Sequence, residues 1–149
     1  SKVDVPIIAA GGMVDGGTMA AAFALGAEGI QMGTRMVSAL ESPVHQNWKQ
    51  AIVDAPETGT VFLNKFHSPA LRALRTERTS RLEANAADNI MPEFGDAQAL
   101  YFGGDMEAAI PLSGQVAGRI ESIKPVADIL YETRDEFFRI LESLQRQYL

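Results

Sequence analysis

The sequence predicts an α/β protein built on parallel strands. Two observations carry this. A short apolar run, Val5-Pro6-Ile7-Ile8-Ala9-Ala10, stops at Gly11-Gly12, and a second, Ala27-Glu28-Gly29-Ile30-Gln31-Met32, stops at Gly33-Thr34. An alanine-rich stretch lies between them, so strand, helix and strand follow one another within about 30 residues, the span of a βαβ unit. Such a crossover is right-handed and its strands are parallel.

Each element has a local reason. The first run is short and ends in glycine, the pattern of a strand buried on both faces. Asp15 is placed to cap a helix over Thr18 to Leu25, with Gly26 as its C′ residue. Ser42-Pro43 offers a capping serine and a proline for the first helical position, so a helix is expected to run to about Asp54, ahead of Pro56. Thr58 to Asn64 suits a brief extended segment. Ser68-Pro69 repeats the start signal, and a second helix is expected to continue to about Asn85. Pro92, Gly95 and Gly103-Gly104 break up residues 88–104 into short helices and loops, and Asp105 to Ile110 suits one more helical turn. Pro125 opens a last helix that runs close to the C-terminus. Its residues Val126, Leu130, Phe137, Leu141, Leu144 and Tyr148 form an apolar stripe on a 3.6-residue period, opposite Asp128, Glu132, Asp135, Arg139, Glu142 and Arg146.

Composition removes several functions. The 149 residues are 46% hydrophobic and carry a net charge of −6. That suits one folded domain and leaves no concentrated basic surface for nucleic-acid phosphates. Without cysteine there is no disulfide, thiolate zinc site or cysteine nucleophile, and two histidines, His45 and His67, make a poor metal site. No apolar run approaches the roughly 20 residues of a membrane span. No metal, nucleic acid or membrane is therefore expected, and a cytoplasmic location is.

The chemistry sits at the glycines. Both glycine-bearing stretches follow a parallel strand, where α/β folds bind their ligands. Glycine lets backbone amides approach a phosphate closely, a helix N-terminus favours an anion, and Thr34 adds a hydroxyl donor. The glycine pair alone is as well explained by a tight turn. Two such stretches, with Gly12 and Gln31 separated by 19 positions, are stronger.

These residues carry a family resemblance. Pro6-Ile7-Ile8-Ala9-Ala10-Gly11-Gly12, Asp15-Gly16 and Leu25-Gly26-Ala27-Glu28-Gly29-Ile30-Gln31-Met32-Gly33-Thr34-Arg35 resemble the C-terminal half of the nitronate monooxygenases, formerly 2-nitropropane dioxygenases. Glu41-Ser42-Pro43-Val44-His45 and Ser113-Gly114-Gln115-Val116-Ala117-Gly118 extend the likeness. Flavin-dependent enoyl-acyl-carrier-protein reductases and certain NADH:quinone reductases share these motifs, so they mark the superfamily better than the substrate. The resemblance implies the C-terminal part of a TIM (β/α)₈ barrel. Residues 1–40 would form its last βαβ portion, 41–111 a mainly helical inserted subdomain, and 112–149 C-terminal helices packed on the barrel. It implies FMN as cofactor, with the phosphate end held at Gly11, Gly12, Gln31, Met32, Gly33 and Thr34, and with Ser113, Gly114 and Gln115 approaching the flavin. The implied reaction is oxidation of alkyl nitronates by dioxygen.

The likeness also sets limits. Family members are roughly twice as long, and their catalytic histidine lies upstream of the Gly11-Gly12 strand. Neither His45 nor His67 matches it, so no catalytic residue is expected in this chain, and the isolated chain is expected to be inactive. The alternatives are NADH-dependent reduction of an enoyl-acyl carrier or a quinone, and a non-catalytic phosphate-binding or assembly half barrel. Two strands alone make an unstable sheet, so self-association or pairing with the missing barrel half is expected beside a small-molecule substrate. Arg72, Arg75, Arg78 and Arg81 recur every three residues along the second expected helix, where a solvated face explains them better than an anionic partner. Met13, Met32 and Met36 suit either a flavin wall or core filling.

Overall fold

The computed structural model describes residues 3–85 and 87–149. The chain is α/β. Strand β1 (Ile8–Ala10) and strand β2 (Gly29–Gln31) pair in parallel, with Ile8 opposite Gly29 and Ala10 opposite Gln31. Between them runs helix α1 (Gly16–Ala24). Its start is fixed by a reciprocal cap in which Asp15 Oδ1 accepts from Thr18 N–H at 2.8 Å and Thr18 Oγ1 accepts from Asp15 N–H at 3.1 Å. Gly26, at φ +101°, ends it as expected.

One expectation for β1 fails. The strand is not buried on both faces: Ile8 is 58% exposed. Its partner among the described residues is β2 alone, so the other edge stays open.

After β2 come the short helix α2 (Thr34–Val37) and helix α3 (Gln46–Val53). Helix α3 starts later than Ser42-Pro43 suggests, because His45 is its cap: His45 Nδ1 accepts from Asn47 N–H at 3.1 Å. Strand β3 (Thr60–Leu63) falls in the expected extended segment. Ser68-Pro69, a cis peptide, does not begin a helix. Residues Leu71–Leu74 form strand β4, antiparallel to β3, with Val61 opposite Ala73. Helix-compatible residues are overridden there by cross-strand pairing that buries Val61 and Ala73. Helix α4 (Glu77–Ala84) starts only at Thr76, through a second reciprocal cap with Thr79. The segment expected to be mainly helical thus holds an antiparallel hairpin beside its helices.

Residues 88–104 are short elements, among them α5 (Ala97–Tyr101). Asp105 to Ile110 is not helical. Ile110 N–H bonds Phe94 O, and Ala109 bridges Gly95 in extended geometry. Trp48, Ile52 and Leu100 fill one core cluster, and Val61, Leu63 and Ile110 the other.

Helix α6 (Val126–Tyr148) begins at Pro125 as expected, but of its expected stripe only Phe137 is buried. Ile129, Thr133 and Phe137 are buried, whereas Leu130, Leu141, Leu144 and Tyr148 are exposed. The buried line lies one residue, about 100° round the helix, from Leu130. Helix α1 decides which line is covered. Phe23 meets Phe137 edge to face, and Gly16 N–H donates to Glu136 Oε2 at 2.8 Å. No helix among the described residues is long and apolar enough to cross a membrane.

Candidate functional site

The in-register pairing of β1 and β2 ends both strands at the same level, Ala10 beside Gln31. Gly11-Gly12 and Met32-Gly33 therefore leave the sheet side by side. They open onto one cleft of about 290 Å³, lined by Ala10, Gly11, Gly12, Met13, Gln31, Gly33, Thr34, Gly114 and Val116. Gly11 and Gly12 have φ of +84° and +79°, a backbone shape that side chains disfavour. A Cβ added at Gly11, Gly12 or Gly33 would meet nothing within 4 Å, so all three backbones face open space. Among the described residues no group accepts from their N–H groups. Three residues whose amides have no partner thus line one small cavity.

Thr34 links this cradle to a distant segment. Its side chain is buried, and Oγ1 accepts from Gly114 N–H at 2.7 Å across 80 positions. A Cβ at Gly114 would lie 3.0 Å from that oxygen, a tight contact that would push the hydroxyl by a few tenths of an ångström. The Gly114 segment is held from the other side by Ser113 N–H donating to Arg72 O at 3.0 Å. Arg35, directly after Thr34, is buried and donates to Ser38 Oγ and to Ser122 O, both at 2.9 Å. Burial pulls its guanidinium below its ordinary pKa, and the charge of Glu132 works in the opposite direction.

Among the described residues no titratable side chain lines the cleft. It can hold an anion through amide dipoles and the Thr34 hydroxyl, but it offers no acid or base. Of the nine cofactor-binding candidates, six line it: Gly11, Gly12, Gln31, Gly33, Thr34 and Gly114. Met32, Ser113 and Gln115 stand beside it in the chain without lining it. Met13 lines it and Met36 does not. Ala10 and Val116 were not among the candidates, and adjacency to Gly11 and Gln115 is the only sequence signal they carry. The histidines lie elsewhere. His45 caps α3, and the His67 ring contacts Ala87 O at 3.0 Å. The arginine series is not one helical face. Arg72 stands on β4 over the Phe62 ring and Arg75 follows that strand, while Arg78 and Arg81 lie on α4.

Comparison with known proteins bears on this arrangement. The profile of a family described as nitronate monooxygenase matches residues 1–135. A probable nitronate monooxygenase of Staphylococcus aureus strain JH9 is 31% identical over 146 residues, covering 94% of this chain and 41% of the relative. One from Staphylococcus saprophyticus is 36% identical over 93 residues, covering 62% and 26%. Among solved structures, FabK from Thermotoga maritima has a TM-score of 0.90 at 41% identity, covering 99% of this chain and 48% of that one. A nitroalkane oxidase from Streptomyces ansochromogenes has a TM-score of 0.76 at 27% identity, covering 95% and 42%. The chain spans less than half the length of each of these relatives.

Proposed function

The chain belongs to the nitronate monooxygenase family, and from that premise we propose that it is the phosphate-holding part of an FMN-dependent oxidoreductase built on a TIM barrel. The observation that supports this best is the shared cleft, with the unpaired amides of Gly11, Gly12 and Gly33 and the hydroxyl of Thr34. A phosphate dianion needs several short donors from one side, and a cavity of about 290 Å³ suits the phosphate end of the cofactor. Strand ends that meet at one level are where α/β barrels place such sites. Among the described residues no lysine or arginine lines the cleft, so the backbone amides and the Thr34 hydroxyl are the donors this reading relies on.

FMN, when bound, accepts the electrons of the substrate. This chain's share is to fix the phosphate, and with it the position of the flavin. Met13 and Val116 supply apolar wall beside the glycines. Proton abstraction from substrate has no agent at this cleft, so the 149-residue chain with FMN is expected to show no nitronate-dependent oxygen uptake. The binding reading is tested by titrating the purified chain with FMN and following the quenching of flavin fluorescence. Saturable one-to-one quenching supports it, and unquenched flavin refutes it.

For the whole enzyme, oxidation of alkyl nitronates by dioxygen is the reaction the family name carries. One observation favours a second reading. Identity to FabK, an enoyl-acyl-carrier-protein reductase, is 41%, against 31% to the aureus relative over a similar length. Stopped-flow mixing with NADH separates the two. Rapid bleaching of the flavin assigns the reductase, and a flavin reduced by alkyl nitronate but not by NADH assigns the monooxygenase.

A further inference from the structure

We infer that Thr34 is a positioning residue that couples occupation of the glycine cradle to the placement of residues 113–115. This rests on the reading that the cleft takes a phosphate. The Thr34 hydroxyl has one proton to donate and lone pairs to accept. One lone pair is taken by Gly114 N–H at 2.7 Å, and among the described residues nothing accepts its proton. Thr34 lines the cleft, so a ligand seated there comes close to this residue. A phosphate oxygen in the cradle would accept that proton. Drawing the proton toward an anion makes Oγ1 a better acceptor, and the Gly114 N–H bond tightens with it.

Past Gln115 the segment is anchored by Val116 and Ala117, buried in the core cluster with Trp48 and Ile52, so residues 113–115 are the part that the Thr34 bond can position. Its 3-10 turn, Gln115–Arg119, is entered through Gly114 and begins with the bond from Ala117 N–H to Gly114 O at 3.2 Å. Upstream, Ser113 N–H is held by Arg72 O on β4. Thr34 is therefore the joint between an anion on one side and, on the other, a turn whose entry at Ser113 touches the hairpin. Gln115, exposed and outside the cleft, is carried by that turn, and its placement follows the state of the cradle.

Hydrogen exchange at the Gly114 amide, measured with and without saturating FMN, tests the coupling in the wild-type chain, Thr34→Ser and Thr34→Val. In wild type and Thr34→Ser, FMN is expected to slow Gly114 exchange by tenfold or more. In Thr34→Val, exchange should be fast in both states, and the FMN dissociation constant should rise at least tenfold. Far-ultraviolet circular dichroism and fluorescence-detected FMN titration of each variant distinguish a misfolded protein from a folded one lacking the hydroxyl. FMN binding to wild type with unchanged Gly114 exchange overturns the coupling alone. So does a folded Thr34→Val whose Gly114 exchange still responds to FMN. Failure of the wild-type chain to bind FMN overturns the phosphate reading and this coupling with it.

Discussion

At Gly12 two demands meet in one residue. Its φ of +79° is a conformation that costs an L-residue about 1–2 kcal/mol, and its missing Cβ leaves the amide open to the cleft. Because a Cβ there touches nothing, Gly12→Ala should fold, losing about 1–2 kcal/mol of stability through the backbone alone. Gly12 lines the cleft and the methyl would add bulk at its wall, so FMN affinity should fall tenfold or more. Thermal unfolding and flavin fluorescence read the two effects separately. Unchanged affinity with lowered stability would remove Gly12 from the binding site. These glycines were legible in the sequence because their signal is local: a short apolar run, then residues suited to a sharp exit. The tie from Gly114 to Thr34 was not legible. Nothing in either residue's neighbours predicts a bond across 80 positions, and only folding creates it.

At the scale of elements, local chemistry and tertiary contact share the decisions. Helix α1 is readable in advance because Asp15, Thr18 and Gly26 mark both its ends within a few residues. Strand β4 is not, because Leu71–Leu74 becomes a strand only through its pairing with β3. The inward line of α6 is set the same way, by the helix that covers it. That contact is close at Gly16, where an added Cβ would lie 2.6 Å from both Thr133 O and Glu136 Cβ and would also run into Phe137 N. Two of these atoms are backbone and cannot rotate away, so the helices must separate. Gly16→Ala should therefore cost about 1–3 kcal/mol, while the same change at Gly17, whose nearest neighbour is 3.4 Å away, should cost far less. Urea unfolding of the two variants checks this. Equal midpoints would show that α1 and α6 do not need the close approach. The separation matters for function, because α1 begins four residues after Gly12 and its Asp15 cap also pairs with Arg119 at the end of the Gly114 turn.

Over the whole molecule, the two-stranded parallel sheet stands apart from the two core clusters. Val5 is 63% exposed, Ile8 58% and Leu25 91%, and Leu25 borders an apolar cleft of about 330 Å³ walled by Ile7, Ala9, Met13 and Ala22. Parallel strands normally carry cover on both faces, and an open apolar edge is a template for association. Burying three such side chains is worth about 1.5–3 kcal/mol each when complete. The opposing repulsion from a net charge of −6 is screened beyond about 8 Å at physiological ionic strength. Apolar burial therefore wins, and the purified 149-residue chain should associate with itself at micromolar concentrations through this face. Leu25 caps the C-terminal end of α1 and Ile8 lies on the open strand, so Leu25→Glu combined with Ile8→Thr should weaken association at least tenfold without unfolding the core. Sedimentation velocity across a concentration series measures it. A monodisperse wild-type monomer would mean that the sheet is stable without cover. Association that survives the double variant would move the contact elsewhere, and the row of Leu141, Leu144 and Tyr148 left exposed on α6 would then be the face to mutate next.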